Sequence, residues 1–253
     1  MFRVLIFFAV MILFVGQAYS KTLPVEPKTP EKVEKPVETP FQLTHKHTAD
    51  CEKTSAEPVQ IICILDRSGS MSNLAADTIG GYNSFIEQQK SKSGTAQVTT
   101  VLFDDRYEKI SDAVDLQQVP ELTSAQYFAR GTTALLDAVG MTLTETLANM
   151  EREKICPAKR RVLVLIMTDG HENASKEFTK AKVKSLVEAT QKQYDWNFVF
   201  IGANIDAAAE AGGIGIDQRH AAQYAPTRNG VYESFARMGE AADKVRERGT
   251  LDK

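Results

Sequence analysis

The 253-residue chain has 30 basic and 33 acidic side chains, a formal net charge of −3, and 43% hydrophobic residues. This balance argues against a nucleic-acid partner, because binding phosphates requires an excess of Lys and Arg. The apolar fraction excludes a wholly disordered chain, and three cysteines are too few for a small disulfide scaffold. The sequence therefore predicts a mildly acidic protein with one main folded core.

Residues 1–20 have the composition of a secretory signal peptide. Arg3 precedes an unbroken apolar run over 4–15, and the small residues Ala18 and Ser20 follow it. The run is shorter than the roughly 20 residues of a membrane span, which favours a cleaved signal over an uncleaved anchor. Both alternatives predict export to the periplasm, the cell envelope or the extracellular space, and cleavage would leave no membrane-inserted segment.

Residues 21–57 differ sharply from the rest of the chain. Five prolines lie between Pro24 and Pro40, and Lys and Glu fill most of the gaps. Such a segment buries too little apolar surface to fold and is kept extended by its prolines. We therefore predict a disordered linker here and a single folded domain over residues 58–250.

Within the predicted domain, apolar runs alternate with amphipathic stretches of helical period. The apolar runs are continuous, which is typical of strands covered on both faces by helices; they lie at 61–65, 98–103, 162–167 and 198–201. The helical stretches lie at 74–92, 133–152, 176–193 and 231–245. This alternation predicts an α/β fold with a doubly wound, mostly parallel sheet and helices on both faces.

One further strand is expected at the edge of that sheet. Residues 107–116 follow the second apolar run after a polar turn at 104–106. Because a parallel neighbour needs a much longer crossover, we expect this strand to be antiparallel.

Side chains with oxygen atoms stand where two of the strands end and where the second long helix begins. Asp66, Ser68 and Ser70 follow the first run, Thr133 precedes the helix, and Asp169 follows the third run. Ligands of doubly wound sheets bind beyond the C-terminal ends of the strands, so we expect these five side chains to converge. Carboxylate and hydroxyl oxygens favour a hard divalent cation, Mg²⁺ first and Mn²⁺ or Ca²⁺ as alternatives.

Three motifs carry these residues. Residues 66–70 read Asp-Arg-Ser-Gly-Ser, residues 130–137 read Arg-Gly-Thr-Thr-Ala-Leu-Leu-Asp, and residues 168–170 read Thr-Asp-Gly. Together they resemble a von Willebrand factor type A (vWA) domain with a metal-ion-dependent adhesion site (MIDAS), in particular stand-alone bacterial members. Segments 101–105 and 200–204 add to this resemblance, which implies the Rossmann-like vWA fold.

The threonine of the MIDAS is assigned by counting. The family motif reads G-G-T-x-L-x-D-A, and Asp137 places the threonine at Thr133, with Thr132 as the alternative. Here Thr132 replaces the second glycine of that motif.

The resemblance implies the ligand set and the function. The metal ligands would be Asp66, Ser68, Ser70, Thr133 and Asp169. The bound cation would coordinate an Asp or Glu side chain of a partner protein, in adhesion or in complex assembly. A partner-binding rim is predicted at Arg67, Asn73, Arg130, His171 and Glu172.

Two alternatives remain open at this point. In the first, the metal only stabilises the domain. In the second, Asp66 is the nucleophile of a phosphatase-like hydrolase and His171 is a base. Against the second, Ser68 stands where such enzymes carry an acid/base aspartate, and the sequence has neither a G-x-S-x-G elbow nor a P-loop. We therefore predict that the protein is not an enzyme.

The cysteines allow one disulfide in an exported protein. Cys63 lies inside the first apolar run and is predicted to be a buried free thiol. The vWA topology implies that the first and third buried strands are neighbours, which favours a Cys51–Cys156 bridge. The other pairings and a fully reduced state remain alternatives.

The disulfide prediction can be tested by counting thiols in the unreduced protein after denaturation. We expect one thiol to react, because Cys51 and Cys156 would be paired, and three after reduction. Mass spectrometry of an unreduced digest should find Cys63 in the alkylated peptide. Three reactive thiols before reduction would rule the bridge out.

Overall fold

The computed structural model describes residues 58–252. The predicted signal peptide, the predicted linker and Cys51 lie outside the described residues, so those predictions and the Cys51–Cys156 pairing stay predictions. Cys63 is a buried free thiol, and burial raises its pKa to about 12, which makes it unreactive.

The four apolar runs form the centre of a mixed sheet. In the described residues the strands are β1 (Val59–Asp66), β2 (Ala96–Phe103), β3 (Tyr107–Asp115), β4 (Val162–Thr168), β5 (Asn197–Gly202) and β6 (Ala221–Gln223). Their order across the sheet is β3-β2-β1-β4-β5-β6. All neighbours are parallel except β2 and β3. The predicted mostly parallel α/β fold with one antiparallel edge strand is confirmed.

Burial along the strands follows from their places in the sheet. Every residue of β1, β4 and β5 is buried, as expected for strands with helices on both faces. The edge strand β3 is mostly half-buried or exposed. A continuous apolar run in the sequence therefore indicates a strand in the interior of the sheet.

Five α-helices lie within the described residues, and they cover the two faces of the sheet. They are α1 (Ala75–Lys90), α2 (Leu135–Arg152), α3 (Lys180–Tyr194), α4 (Ala207–Gly213) and α5 (Arg228–Arg248). The helices α1 and α5 pack together and share a core cluster with Ile61, Cys63 and Leu65 of β1. The helices α2 and α3 pack against each other, and neither contributes to that cluster. Within residues 58–252, every helix is too short or too polar to span a bilayer.

Two predicted helix starts were too early, because side chains hold the preceding backbone. The backbone N–H groups of Lys176, Glu177 and Phe178 donate to the carboxylate of Asp137, and α3 begins only at Lys180. The N–H of Thr133 likewise donates to the side chain of Asn173, and α2 begins at Leu135 instead of 133. The elements α4 and β6 were not predicted, because they are short and lack a distinct apolar period.

Two adjacent glycines of α1 test the packing of α1 against α5. A Cβ on Gly81 would lie 2.3 Å from the buried ring of Phe235. One on Gly80 would meet only the tip of Tyr232, 2.6 Å from the hydroxyl and 3.6 Å from Cζ. We expect Gly81→Ala to lower the free energy of unfolding by about 1–3 kcal/mol because the core is overpacked. The control Gly80→Ala should raise it by up to about 1 kcal/mol, because the exposed Tyr232 can rotate and alanine favours helix. Urea unfolding measures both, and a stabilised Gly81→Ala variant would contradict this packing.

Candidate metal site

The parallel pairing of β1 with β4 brings the first carboxylate to the site. The register aligns Leu65 with Met167, so Asp66 and Thr168 end neighbouring strands side by side. The carboxylate of Asp66 accepts hydrogen bonds from the Thr168 hydroxyl at 2.6 Å and from the Ser68 N–H at 2.7 Å. Asp66 is almost fully buried, so this carboxylate is fixed in direction.

The two serines connect the first motif to Asp169. The Ser70 hydroxyl donates to Oδ1 of Asp169 at 2.5 Å, and the Oγ atoms of Ser68 and Ser70 are 3.1 Å apart. Ser68 is buried and Ser70 is exposed. The three side chains therefore form a continuous chain of oxygen atoms that reaches the surface.

The glycine after Asp169 leaves space for this chain to meet Thr133. A Cβ on Gly170 would lie 3.8 Å from both the Ser70 Oγ and the Thr133 Oγ1. Thr133 is 3% exposed, whereas Thr132 is exposed. The geometry thus favours Thr133, the residue chosen by counting from Asp137. All five predicted ligands lie at the C-terminal ends of the central parallel strands, and their role as ligands stays a prediction.

The loop that carries Thr133 is shaped by a glycine. Gly131 has a φ of +65°, and a Cβ there would lie 2.0 Å from Oδ1 of Asp105. The carbonyl of Gly131 accepts a hydrogen bond from the N–H of Gly69 at 3.2 Å. This close approach of two backbones holds the threonine loop against the loop of the two serines.

A second set of contacts fixes the same loop from the side of β4. Thr133 and Asn173 are joined twice: the Thr133 N–H donates to Oδ1 of Asn173 at 2.9 Å, and the Asn173 N–H donates to the Thr133 carbonyl at 3.0 Å. The Glu172 carboxylate accepts from the N–H groups of Leu136, Ala174 and Ser175. The contacts of Asn173 with Thr133 and of Glu172 with Leu136 were not foreseen from the sequence, because they join residues 40 and 36 positions apart.

Two of the predicted rim residues contact other parts of the chain. Arg67 is fully buried, and its guanidinium pairs with Asp104 and Glu108. Arg67 is therefore not available to a partner, and its rim prediction is wrong. The Glu172 carboxylate accepts hydrogen bonds from backbone N–H groups but is partly exposed, so its rim role stays a prediction. Asn73 and His171 are exposed and Arg130 is partly exposed, and for these three the rim stays a prediction.

The electrostatics of the site are dominated by two carboxylates in a poorly solvated place. Burial raises the pKa of Asp66 to about 6, against the hydrogen bonds from Thr168 and Ser68, and the charge of Asp169 raises it further. Burial also raises the pKa of Asp169, and the Ser70 hydrogen bond opposes that shift. A positive charge placed between the two side chains would stabilise both of them in the ionised form.

The donor set fits a hard cation. No group of three or more His, Cys, Asp or Glu side chains with metal-binding geometry occurs within residues 58–252. A cation at this end of the sheet would therefore depend on the hydroxyls of Ser68, Ser70 and Thr133 as well as on the carboxylates. Neutral and charged oxygen donors of this kind suit Mg²⁺ or Mn²⁺ better than zinc or copper.

The chain matches the family described as "VWA domain containing CoxE-like protein" over residues 44–198, which is more than half of its 253 residues. The protein belongs to this family. The resemblance to vWA domains drawn from the motifs is thereby confirmed. No protein with a curated description is significantly similar to this VWA protein in sequence.

Solved vWA structures share the fold at low sequence identity. Proximal thread matrix protein 1 from the mussel byssus has a TM-score of 0.51 and 14% identity, over 71% of this chain and 46% of that chain. A von Willebrand factor type A protein from Catenulispora acidiphila has a TM-score of 0.50 and 15% identity, over 75% and 43%. The chain thus spans less than half the length of these two solved proteins. Another structure of the mussel protein is described as having a zinc-occupied MIDAS motif; it has a TM-score of 0.49 and 12% identity, over 71% of this chain and 46% of that chain.

The raised pKa of Asp66 predicts how the metal-free VWA protein responds to pH. The pKa of Asp66 has an ordinary value of 3.8 and is about 6 in the fold, so the folded state binds the proton more tightly than the unfolded state. The stabilisation that comes from protonated Asp66 is fully present below about pH 4 and is lost as the pH rises through about 6. The free energy of unfolding should fall by up to about 3 kcal/mol over this range.

This response is measured in a chelator, as the difference between the wild type and Asp66→Asn, whose amide does not titrate. We expect the stability of the wild type relative to Asp66→Asn to fall between about pH 4 and pH 7. Urea unfolding at each pH gives the difference. A difference that stays constant, or that grows with pH, would contradict the burial of an uncompensated charge at Asp66.

Proposed function

We propose that the protein is an exported, divalent-metal-dependent protein-binding module, and that its cation coordinates an Asp or Glu side chain of a partner protein. The observation that carries this proposal is the surface-reaching chain of oxygen atoms from Ser68 through Ser70 to Asp169. Thr133 faces the same space beside Gly170. The proposed export rests on the signal-like composition of residues 1–20.

The ligands proposed are the hydroxyls of Ser68, Ser70 and Thr133 with the carboxylates of Asp66 and Asp169, and the proposed ion is Mg²⁺. When bound, such an ion supplies a positive charge and a coordination position that an external carboxylate can take. The chain's own residues orient the oxygens and keep them close before binding. Ser70 is exposed, which supports access to the site from outside.

The hydrolase alternative receives less support from the geometry. Both carboxylate oxygens of Asp66 accept hydrogen bonds, and the residue is 1% exposed. A nucleophile must contact its substrate directly, whereas a carboxylate can support a bound Mg²⁺ through one of the waters that the ion keeps. His171, the base of that alternative, has a 69% exposed side chain near Glu210, as is common for a solvated surface histidine. We therefore propose a binding role without catalysis.

The metal part of the proposal is tested by adding Mg²⁺ or Mn²⁺ to the chelated protein. We expect stabilisation by about 2.7 kcal/mol when the metal is at a hundred times its Kd. Ser70→Ala should lose most of it, because the hydroxyl that joins Ser68 to Asp169 is removed. Ser72→Ala is the matched control, since Ser72 is an exposed serine of the same short helix (Gly69–Leu74). No stabilisation of the wild type by either metal would refute the metal site.

The partner-binding part is tested with a displayed library of acidic peptides in Mg²⁺. We expect enrichment of Asp- or Glu-containing peptides that bind the wild type and Ser72→Ala, and that are released by chelator. Replacing the acidic residue of a selected peptide by Asn or Gln should abolish binding. If the metal stabilises the protein while no acidic peptide binds, the purely structural role of the metal is the correct alternative.

A further inference from the structure

We infer that Asp104 is a positioning residue for the metal site: through Arg67 and Arg130 it holds the threonine loop against the loop of the two serines. The inference rests on the proposed metal site. Asp104 lies in the turn between β2 and β3, outside the proposed ligand set.

The inference starts from a buried arginine inside the first motif. Arg67 lies between the proposed ligands Asp66 and Ser68, yet its side chain is 0% exposed. Its Nε donates to Asp104 at 3.0 Å and one terminal nitrogen to Glu108 at 2.6 Å. A buried guanidinium is stable only when its charge is paired and its N–H groups are satisfied. The arginine therefore ties the serine loop to the turn between β2 and β3.

Asp104 links this arginine to a second one. The same oxygen that accepts from Arg67, Oδ2, also accepts from the Nε of Arg130 at 2.7 Å, and Oδ1 accepts from the N–H of Arg106 at 2.8 Å. Burial alone would raise the pKa of Asp104, but hydrogen bonds from Arg130 and Arg106 and the charge of Arg67 lower it below its ordinary value. One ionised carboxylate therefore bridges two guanidiniums that belong to different loops.

The backbone contacts show what this bridge positions. The N–H of Arg130 donates to the carbonyl of Arg67 at 2.9 Å, and the N–H of Ala134 donates to the carbonyl of Asp104 at 2.8 Å. Thr133 lies between these two anchored residues. Its hydroxyl can hold its place beside Ser70 only while the segment 130–134 keeps this docking.

An aromatic side chain lies beside the bridge. The ring centre of Phe128 lies 5.6 Å from the guanidinium carbon of Arg67 and 5.0 Å from that of Arg130. Phe128 is 43% exposed, so its ring lies at the surface beside the two guanidiniums. The side chains of Arg67 and Asp104 are 0% exposed, and the lack of water around them strengthens their attraction.

The test compares three variants with the wild type by Mn²⁺ titration, well below their melting temperatures. Asp104→Asn keeps the shape of the side chain and removes the charge, and we expect it to weaken Mn²⁺ binding by about 10- to 100-fold. Arg130→Gln removes one arm of the bridge from a partly exposed position, so it should fold and weaken binding several-fold. The control, Arg246→Met, removes contacts to the Gln89, Ser93 and Gly94 carbonyls near the start of β2, at the opposite end of the sheet. It should lower the melting temperature and leave Mn²⁺ affinity unchanged.

Two further measurements separate positioning from general destabilisation. Hydrogen exchange of the metal-free protein should become faster over 130–134 in Asp104→Asn and stay unchanged there in Arg246→Met. The Mn²⁺ electron paramagnetic resonance spectrum of Asp104→Asn should differ from that of the wild type, because the ligand geometry has changed.

The outcomes distinguish this inference from the proposed function. If the wild type binds no Mn²⁺, the proposed function fails and the positioning role fails with it. If the wild type binds Mn²⁺ and both Asp104→Asn and Arg130→Gln retain its affinity, only the positioning role is overturned. The positioning role is also overturned if general destabilisation explains the loss of Mn²⁺ affinity. That would be the case if Arg246→Met and a bridge variant with an equal loss of melting temperature lost Mn²⁺ affinity equally.

Discussion

Two buried carboxylates of like charge, Asp66 and Asp169, are the constraint around which this end of the fold is arranged. They follow neighbouring parallel strands, so the sheet itself brings them together. Burial disfavours the ionised form of both and so raises their pKa values. The hydrogen bonds from the hydroxyls of Thr168 and Ser70 offset only part of this free-energy cost. Neutral donors reduce the energy of an anion without cancelling its charge. A site of this kind is stabilised most by a cation from outside the chain.

The nearest arginine in sequence does not cancel that charge. Arg67 directly follows Asp66, and a guanidinium turned towards Asp66 would neutralise it and compete with a metal. The side chain instead pairs with Asp104 and Glu108, where Arg130 adds a second positive charge. The fold thus separates a balanced ion-pair cluster from an unbalanced acidic one, although the two share a single loop.

The parts of this arrangement differ in how far the sequence predicts them. Continuous apolar runs predicted the central strands, and strand ends placed Asp66 and Asp169, because these features depend on local order along the chain. Thr133 required the spacing of a known motif. The burial of Arg67 was not predictable, since a lone charged residue in a loop is usually exposed and its partner Asp104 is 37 positions away. The contact of Glu172 with the Leu136 N–H was missed for the same reason, because the two residues are 36 positions apart.

Asp137 shows that the motif spacing used to find the threonine has a structural cause. Its carboxylate does not belong to the proposed ligand set. It accepts hydrogen bonds from the backbone N–H groups of residues 176–178, and these bonds hold the loop after β4 against the start of α2. Asn173 of the same loop bonds Thr133 in both directions. The threonine loop is therefore held from the β4 side by these contacts and from the β2 side by Asp104. A site fixed from both sides orders few groups when a ligand binds, so more of the interaction energy appears as affinity.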